Sequence, residues 1–188
     1  MAQAAKPLRA DAALNRARVL ETAYETFAAE GLSVPIDEIA RRAGVGAGTV
    51  YRHFPTKKDL FAAVVESRLQ HIITEGRALL DEPGPKEALF AFLRSMVLDW
   101  GATDQGLVEA LGGLGIDVDS VAPDAEDAFR SLLGELLVAA QRAGTVRADV
   151  DVPEIKAILV GCQAMQGYDK ARAGRVTDVV IDGLRPSR

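Results

Sequence analysis

At 188 residues, 48% hydrophobic and 26% charged, the chain has the composition of a water-soluble protein, large enough for one domain or two small ones. A single cysteine excludes an internal disulfide framework and fits a reducing, cytoplasmic setting. No apolar run approaches the roughly 18 residues that cross a bilayer, and Lys6 and Arg9 precede no apolar segment of a secretory signal. The net charge of −5 is unevenly spread. Residues 1–58 hold nine Lys or Arg against six Asp or Glu, which leaves thirteen against twenty-one in residues 59–188. A basic head on an acidic body can meet phosphates with one end while the other stays off nucleic acid.

Residues 1–11 are small, polar and basic and read as a disordered arm. A first helix is expected from about Ala12 to Glu30, with Val19, Leu20, Ala23 and Phe27 on one side and Gly31 past its end. Pro35 suits the first turn of a second helix, for which Ser33 is the available cap. That helix, Ile36 to Ala43, repeats Ile36, Ile39, Ala40 and Ala43 at helical spacing and closes at Gly44, where positive φ is wanted. Val45 is an apolar plug in the turn. A third short helix turns Val50 and Phe54, four residues apart, toward the core and leaves Thr49, Tyr51, Arg52 and His53 outside. Pro55 stops it, and Thr56 can cap a long helix from 57 to about 80 that ends at Pro83-Gly84-Pro85. Further helical patterns fall near 86–103, 105–113, 123–143, 152–171 and 175–184, with a flexible break from Gly112 to Asp119. Period-two alternation is confined to Thr145–Val152, where a helix end at Gly144 is the better reading. The sum is all-α: a three-helix head over residues 12–56 and a larger helical bundle over 57–188, with 57–80 as the connecting helix.

Two short helices joined by a tight glycine-containing turn can present the second to a major groove. Arg52 is the candidate reader of guanine, because its planar fork can satisfy O6 and N7 together. Thr49, Tyr51 and His53 can donate to phosphates, and Lys57 can add a charge at the start of the next helix. Ala47 and Gly48 are small enough for close approach, with Ala47 able to touch a thymine methyl. Arg41 and Arg42 are open to two readings, phosphate contact or solvated face. The glycines from Gly44 to Gly48 follow a helix and not a strand, which sets aside a nucleotide-binding loop.

Four motifs stand in unbroken register: Phe27-Ala28-Ala29-Glu30-Gly31, Ile36 to Val45, Gly48-Thr49-Val50-Tyr51-Arg52-His53-Phe54, and Lys57-Lys58-Asp59-Leu60. With them, the stretch from about Asn15 to Val65 resembles the DNA-binding domain of TetR-family transcriptional regulators. The passage from Ala140 to Ile155 also resembles one group of that family's ligand-binding domains. The resemblance implies DNA contacts at Thr49, Tyr51, Arg52, His53 and Lys57, a double-stranded operator, a homodimer and a small-molecule effector held in the body. Two departures stand out. Val34 and Pro35 occupy positions where relatives place Ser or Thr, and Asp37 stands where a base is common.

In the body, the resemblance implies dimerisation through the last two long helices around an effector pocket. Interface candidates are Leu132, Leu136, Ile155, Ile158, Leu159, Cys162 and Gln166; pocket candidates are Phe92, Met96, Trp100, Leu107, Leu111, Phe129 and Met165. Such stripes are more often packing than contact, Trp100 being the exception beside the polar Thr103-Asp104-Gln105 turn. Cys162 reads as a small buried hydrophobe, with a redox sensor as the minor reading. His53 and His71 are the two histidines and fall on different helices, Asp117 and Asp119 lack the spacing of a calcium loop, and no nucleophile has a base beside it. The expectation is a DNA-binding regulator without metal, cofactor, membrane segment or catalysis, acting as a ligand-responsive repressor on a palindromic operator. The alternative is a helical small-molecule-binding protein whose head no longer binds DNA, which Asp37 and the overall acidity favour.

Overall fold

The computed structural model describes residues 5–81, 85–100 and 122–186, the side chains of 5–10, 85, 99, 100, 166 and 167 excepted. Among the described residues there are eight α-helices and no strand. They are α1 (Ala5–Glu30), α2 (Ile36–Ala43), α3 (Ala47–His53), α4 (Lys57–Asp81), α5 (Ala88–Ser95), α6 (Pro123–Arg142), α7 (Val152–Tyr168) and α8 (Lys170–Gly183). Short 3-10 turns at Gly31–Ser33 and Pro85–Glu87 precede α2 and α5, and a π-helical stretch, Met96–Trp100, continues α5. The helix expected at 105–113, with Leu107 and Leu111, lies outside the described residues. Among those described, one compact unit holds the residues up to Arg68 together with Ala122, and the other holds 69–100 and 123–186.

α1 begins at Ala5, so the arm expected over residues 1–11 is helical from its fifth residue. Ala10, Ala12, Ala13 and Leu14 are strong helix formers and carry the helix back past the expected start. The core of the first unit is built as the periodicity predicts. Val19, Leu20, Ala23 and Phe27 of α1 meet Ile36, Ile39, Ala40 and Ala43 of α2, Val50 of α3, and Leu60, Phe61, Val64 and Val65 of α4, all buried. Phe27 and Phe61 pack edge to face at 5.8 Å between centroids, a geometry that adds about 0.5–1.5 kcal/mol to their burial.

In the second unit, Ile72 and Ile73 of α4 join Leu89, Phe92, Leu93, Met96 and Val97, Phe129, Leu132, Leu133, Leu136 and Leu137 of α6, and Ile155, Leu159 and Cys162 of α7 in one buried cluster. α7 is capped by a reciprocal pair: Glu154 donates its N–H to the Asp151 carboxylate at 2.9 Å, and the Asp151 N–H donates to Glu154 Oε2 at 3.0 Å. The segment between α6 and α7 forms no strand. Gly144 takes φ 69°, the Thr145 hydroxyl donates to the Lys86 carbonyl at 2.7 Å, and Gln141 Nε2 donates to the Val150 carbonyl at 2.9 Å.

Among the described glycines of this unit, Gly76 has the least room for a side chain. A methyl group there would lie 2.5 Å from Leu132 Cδ2 and 2.7 Å from Phe92 Cε2, and both of those side chains are fully buried. Gly76→Ala therefore sets an overpacking cost of about 1–3 kcal/mol against a helix-propensity gain of about 1 kcal/mol. A net fall in thermal midpoint is expected by calorimetry; a rise would mean that Leu132 and Phe92 repack freely.

Candidate nucleic-acid interface

The head is assembled from its turn outward. α2 ends at Gly44, whose φ of 66° lets the Val45 N–H bond the Ala40 carbonyl at 3.0 Å. Gly46 then opens α3 by accepting from the Thr49 N–H at 2.8 Å, with no side chain capping the helix. Val50 and Phe54 turn inward, at 1% and 3% exposure, and that seam fixes what faces out. Tyr51 is 42% exposed, Gly48, Arg52 and His53 are exposed, and Ala47 and Thr49 are half-buried. The six small, aromatic and basic residues expected on α3 thus occupy one outward run.

The fold does not demand glycine at Gly46 or Gly48, since a methyl group at either would meet nothing within 4 Å. Arg52, exposed, lies back along its own helix with Nε donating to the Gly48 carbonyl at 3.1 Å, which leaves the donors of its two amino groups out of that bond.

Several candidates are engaged inside the protein. Arg41 donates through Nε and Nη2 to both Glu38 oxygens, at 2.8 and 2.7 Å. Arg42 Nε reaches Glu38 at 2.8 Å and its other nitrogens grip Glu30 at the end of α1. Arg41 is therefore half of an ion pair and not a free cation, held by the Glu38 carboxylate one turn before it. Hydrogen bonds from Arg41 and then Arg42 hold the Glu38 carboxyl down to about 2, and the Arg42 bond lowers Glu30 as well.

Lys57, half-buried, donates from Nζ to the Leu32 carbonyl at 2.7 Å, so it ties the start of α4 to the turn before α2. Thr56 and Asp59 cap α4 reciprocally: the Thr56 N–H reaches Asp59 Oδ2 at 2.9 Å and the Asp59 N–H reaches Thr56 Oγ1 at 3.2 Å. Ser33 does not cap α2. The 3-10 turn leaves Ser33 outside, and the Pro35 carbonyl accepts from Glu38 and Ile39 instead, at 3.2 and 3.3 Å.

Two family models match consecutive parts of the chain. That of bacterial regulatory proteins of the TetR family covers residues 19–64, and that of the C-terminal domain of SbtR-like transcriptional regulators covers 84–186. The chain belongs to the TetR family of transcriptional regulators. A TetR regulatory protein of Mycobacterium vanbaalenii is 62% identical over 96% of this chain and 100% of its own, with a TM-score of 0.78. The TetR regulator SCO0520 of Streptomyces coelicolor is 34% identical over 92% and 99%, with a TM-score of 0.73. A helix-turn-helix regulator of Staphylococcus aureus is 38% identical over 76 residues, spanning 40% of this chain and 41% of that relative. The protein is accordingly a DNA-binding transcription regulator and not an enzyme. No described helix is long and apolar enough to cross a membrane.

In the body of the regulator, most of the expected interface residues have no surface to offer. Leu132, Leu136 and Ile155 are fully buried, with Leu159 and Cys162 nearly so, and Ile158 is half-buried. They are core because α6 and α7 pack against each other within one chain. The side chain of Gln166 lies outside the described residues. Phe92 and Phe129 close on each other at 6.2 Å and are buried with Met96, while Met165 is half-buried. The side chain of Trp100 is not among those described. A groove of about 700 Å³ runs between α6 and α7, lined by Arg130, Val152, Pro153, Lys156, Ala157, Val160 and Gly161, none of them an expected pocket residue. Burial raises the Cys162 thiol above its ordinary value, which suits the small-hydrophobe reading.

The charge network carries a pH signature. A carboxyl depressed by folding adds stability that is full above its ordinary value near 4.5 and is lost as pH falls toward about 2. The Glu38 carboxyl carbon should titrate near 2 by NMR in the wild type, and upward of that in Arg41→Gln. A wild-type midpoint near 4.5 would mean that the network is not formed in solution.

Proposed function

We propose that this regulator is a ligand-responsive repressor that binds a palindromic operator as a homodimer. The observation that carries the reading is the outward run Gly48, Thr49, Tyr51, Arg52 and His53 on α3, behind the buried Val50–Phe54 seam. A short helix with that division offers donors to phosphates and one planar fork to a base edge. Two heads are needed because one helix reads only a few base pairs, and half-sites one turn apart supply the rest. The decisive experiment is selection of bound sequences from a random duplex pool at two salt concentrations. An enriched palindrome supports the operator reading; a folded dimer with no enrichment would favour a body that binds small molecules beneath an inactive head.

Within the enriched site, Arg52→Ala should relax preference at one base pair, by about 1–3 kcal/mol if Arg52 forks onto guanine. Tyr51→Ala should weaken every sequence alike. Equal loss on all sequences for Arg52→Ala would make it a phosphate contact only.

For the dimer, the free face of α7 is the better candidate than its buried side. Ala157, Val160, Gly161, Ala164 and Tyr168 are exposed at helical spacing, with Val160 at 55% and Tyr168 at 92%. Small residues there would let a second α7 approach closely, and the exposed apolar surface is what association would bury. Val160→Glu should therefore yield monomers by sedimentation while leaving the thermal midpoint of the monomer fold nearly intact. Unchanged dimers would move the interface to another face.

The effector is proposed to bind in the body, residues 57–188, and to act on the heads through α4. An effector changes operator affinity only as far as it binds the two head spacings differently. If the effector meets Trp100, Trp100→Ala should lose the ligand response before it loses the fold, and a variant that still releases operator on effector addition would take Trp100 out of the site.

A further inference from the structure

The α3 face accounts for donors from a single helix, yet a cation from elsewhere in the sequence reaches the same end of the head. Arg16 of α1 is exposed, and its guanidinium carbon stands 5.6 Å from the centroid of the Phe54 ring. Phe54 follows the last residue of α3, and its ring lies 6.1 Å from that of His53. Arg16 and His53, 37 positions apart in the chain, thus both lie against one aromatic ring.

The head's other arginines are differently placed. Arg41 and Arg42 are neutralised by Glu38 and Glu30, and Arg18 donates to Asn15 at 2.8 Å. Arg16, like Arg18 and Arg52, has no carboxylate within ion-pair distance among the described residues, and it alone of the three lies over the Phe54 ring. A full positive charge is left in solvent beside the helix proposed to read DNA. Stacking on an aromatic ring holds the planar guanidinium while its N–H edge stays free for a bidentate phosphate.

We propose that Arg16 is a backbone-phosphate contact of the head, delivered from α1 to the C-terminal end of the reading helix. The proposal rests on the DNA-binding reading of α3. A helix seated in a major groove about 12 Å wide has a phosphate strand along each side, so a cation beside its end meets one of them. Such a contact carries no base preference. It adds affinity through counterion release, which is read as the slope of binding against salt.

The test uses the full chain, with binding to the selected operator and to a random-sequence duplex followed by fluorescence anisotropy across a salt series. Arg16→Ala and Arg16→Gln should each make the salt slope shallower by about one unit on both duplexes. Arg16→Lys should keep the slope, since the charge is retained. A slope that stays at the wild-type value in Ala and Gln variants overturns the assignment. So does a fall in thermal midpoint with the slope unmoved, which would make Arg16 a brace for Phe54 alone. A wild-type protein that binds neither duplex fails differently, because the reading of α3 itself then falls.

Discussion

Gly44 stands at φ 66°, and from that one left-handed residue the direction of α3 follows. The Val45 N–H can then return to the Ala40 carbonyl, closing α2 and starting the chain toward Gly46 at a set angle. A residue with a Cβ in that conformation costs about 1–2 kcal/mol, so the turn discriminates strongly for glycine. What the turn sets is rotational phase. Successive residues of a helix are about 100° apart, so a slip of one position would carry Tyr51 into the core and Val50 out of it. The donors of α3 face outward because Val50 and Phe54 are trapped inward, and they are trapped because Gly44 aims them.

Charge in the head is arranged less generously than its count suggests. In the Glu30–Arg42–Glu38–Arg41 network, Arg42 joins α2 to the end of α1 and Arg41 is spent on Glu38 within α2. Exposed pairs of this kind add little stability one at a time, but bidentate geometry and a shared carboxylate make a network stiffer than its members. Rigidity between α1 and α2 matters for a surface that must match a groove, since loose helices would lose ordering entropy on contact. Lys57 serves the same end from α4, its ammonium on the Leu32 carbonyl. The head therefore uses Arg42 and Lys57 as internal ties and leaves its outward field to the remaining cations.

Local determinants were legible in the residues and distant ones were not. The α2 and α3 boundaries, the Gly44 turn, the Val50–Phe54 seam and the Thr56 cap each depend on neighbours within four positions, where spacing is decisive. Periodicity put Leu132, Leu136, Ile155 and Leu159 on shared apolar faces and assigned those faces to a second copy, whereas they pack within the chain. A stripe that faces its own chain and one that faces a second copy have the same spacing. Hence most of the expected interface residues are core within the chain, Ile158 being half-buried. Arg16 escaped for a different reason: its partner ring lies far along the chain, and a lone arginine on a helix has no motif. The missing cap at Ser33 shows the reverse error, a correct residue type displaced by a 3-10 turn that no pattern announces.

The outward face of α7 is itself a consequence of something buried. The Glu126 side chain on α6 is only 5% exposed and is gripped by Lys156 of α7 and by Arg130 one turn along its own helix. Glu126 keeps Arg130 if Lys156 is lost, so Lys156 contributes less to cancelling the buried charge than to setting how α7 lies on α6. The arrangement therefore works as a pin more than as glue. It tolerates one rotation of α7 against α6, the one that keeps Lys156 on Glu126. With Lys156 held there, Ile155 and Leu159 point into the core, and Ala157, Val160, Gly161 and Ala164 point away from it. One buried carboxylate thereby decides which residues of α7 are free to meet another molecule, as Gly44 decides it for α3.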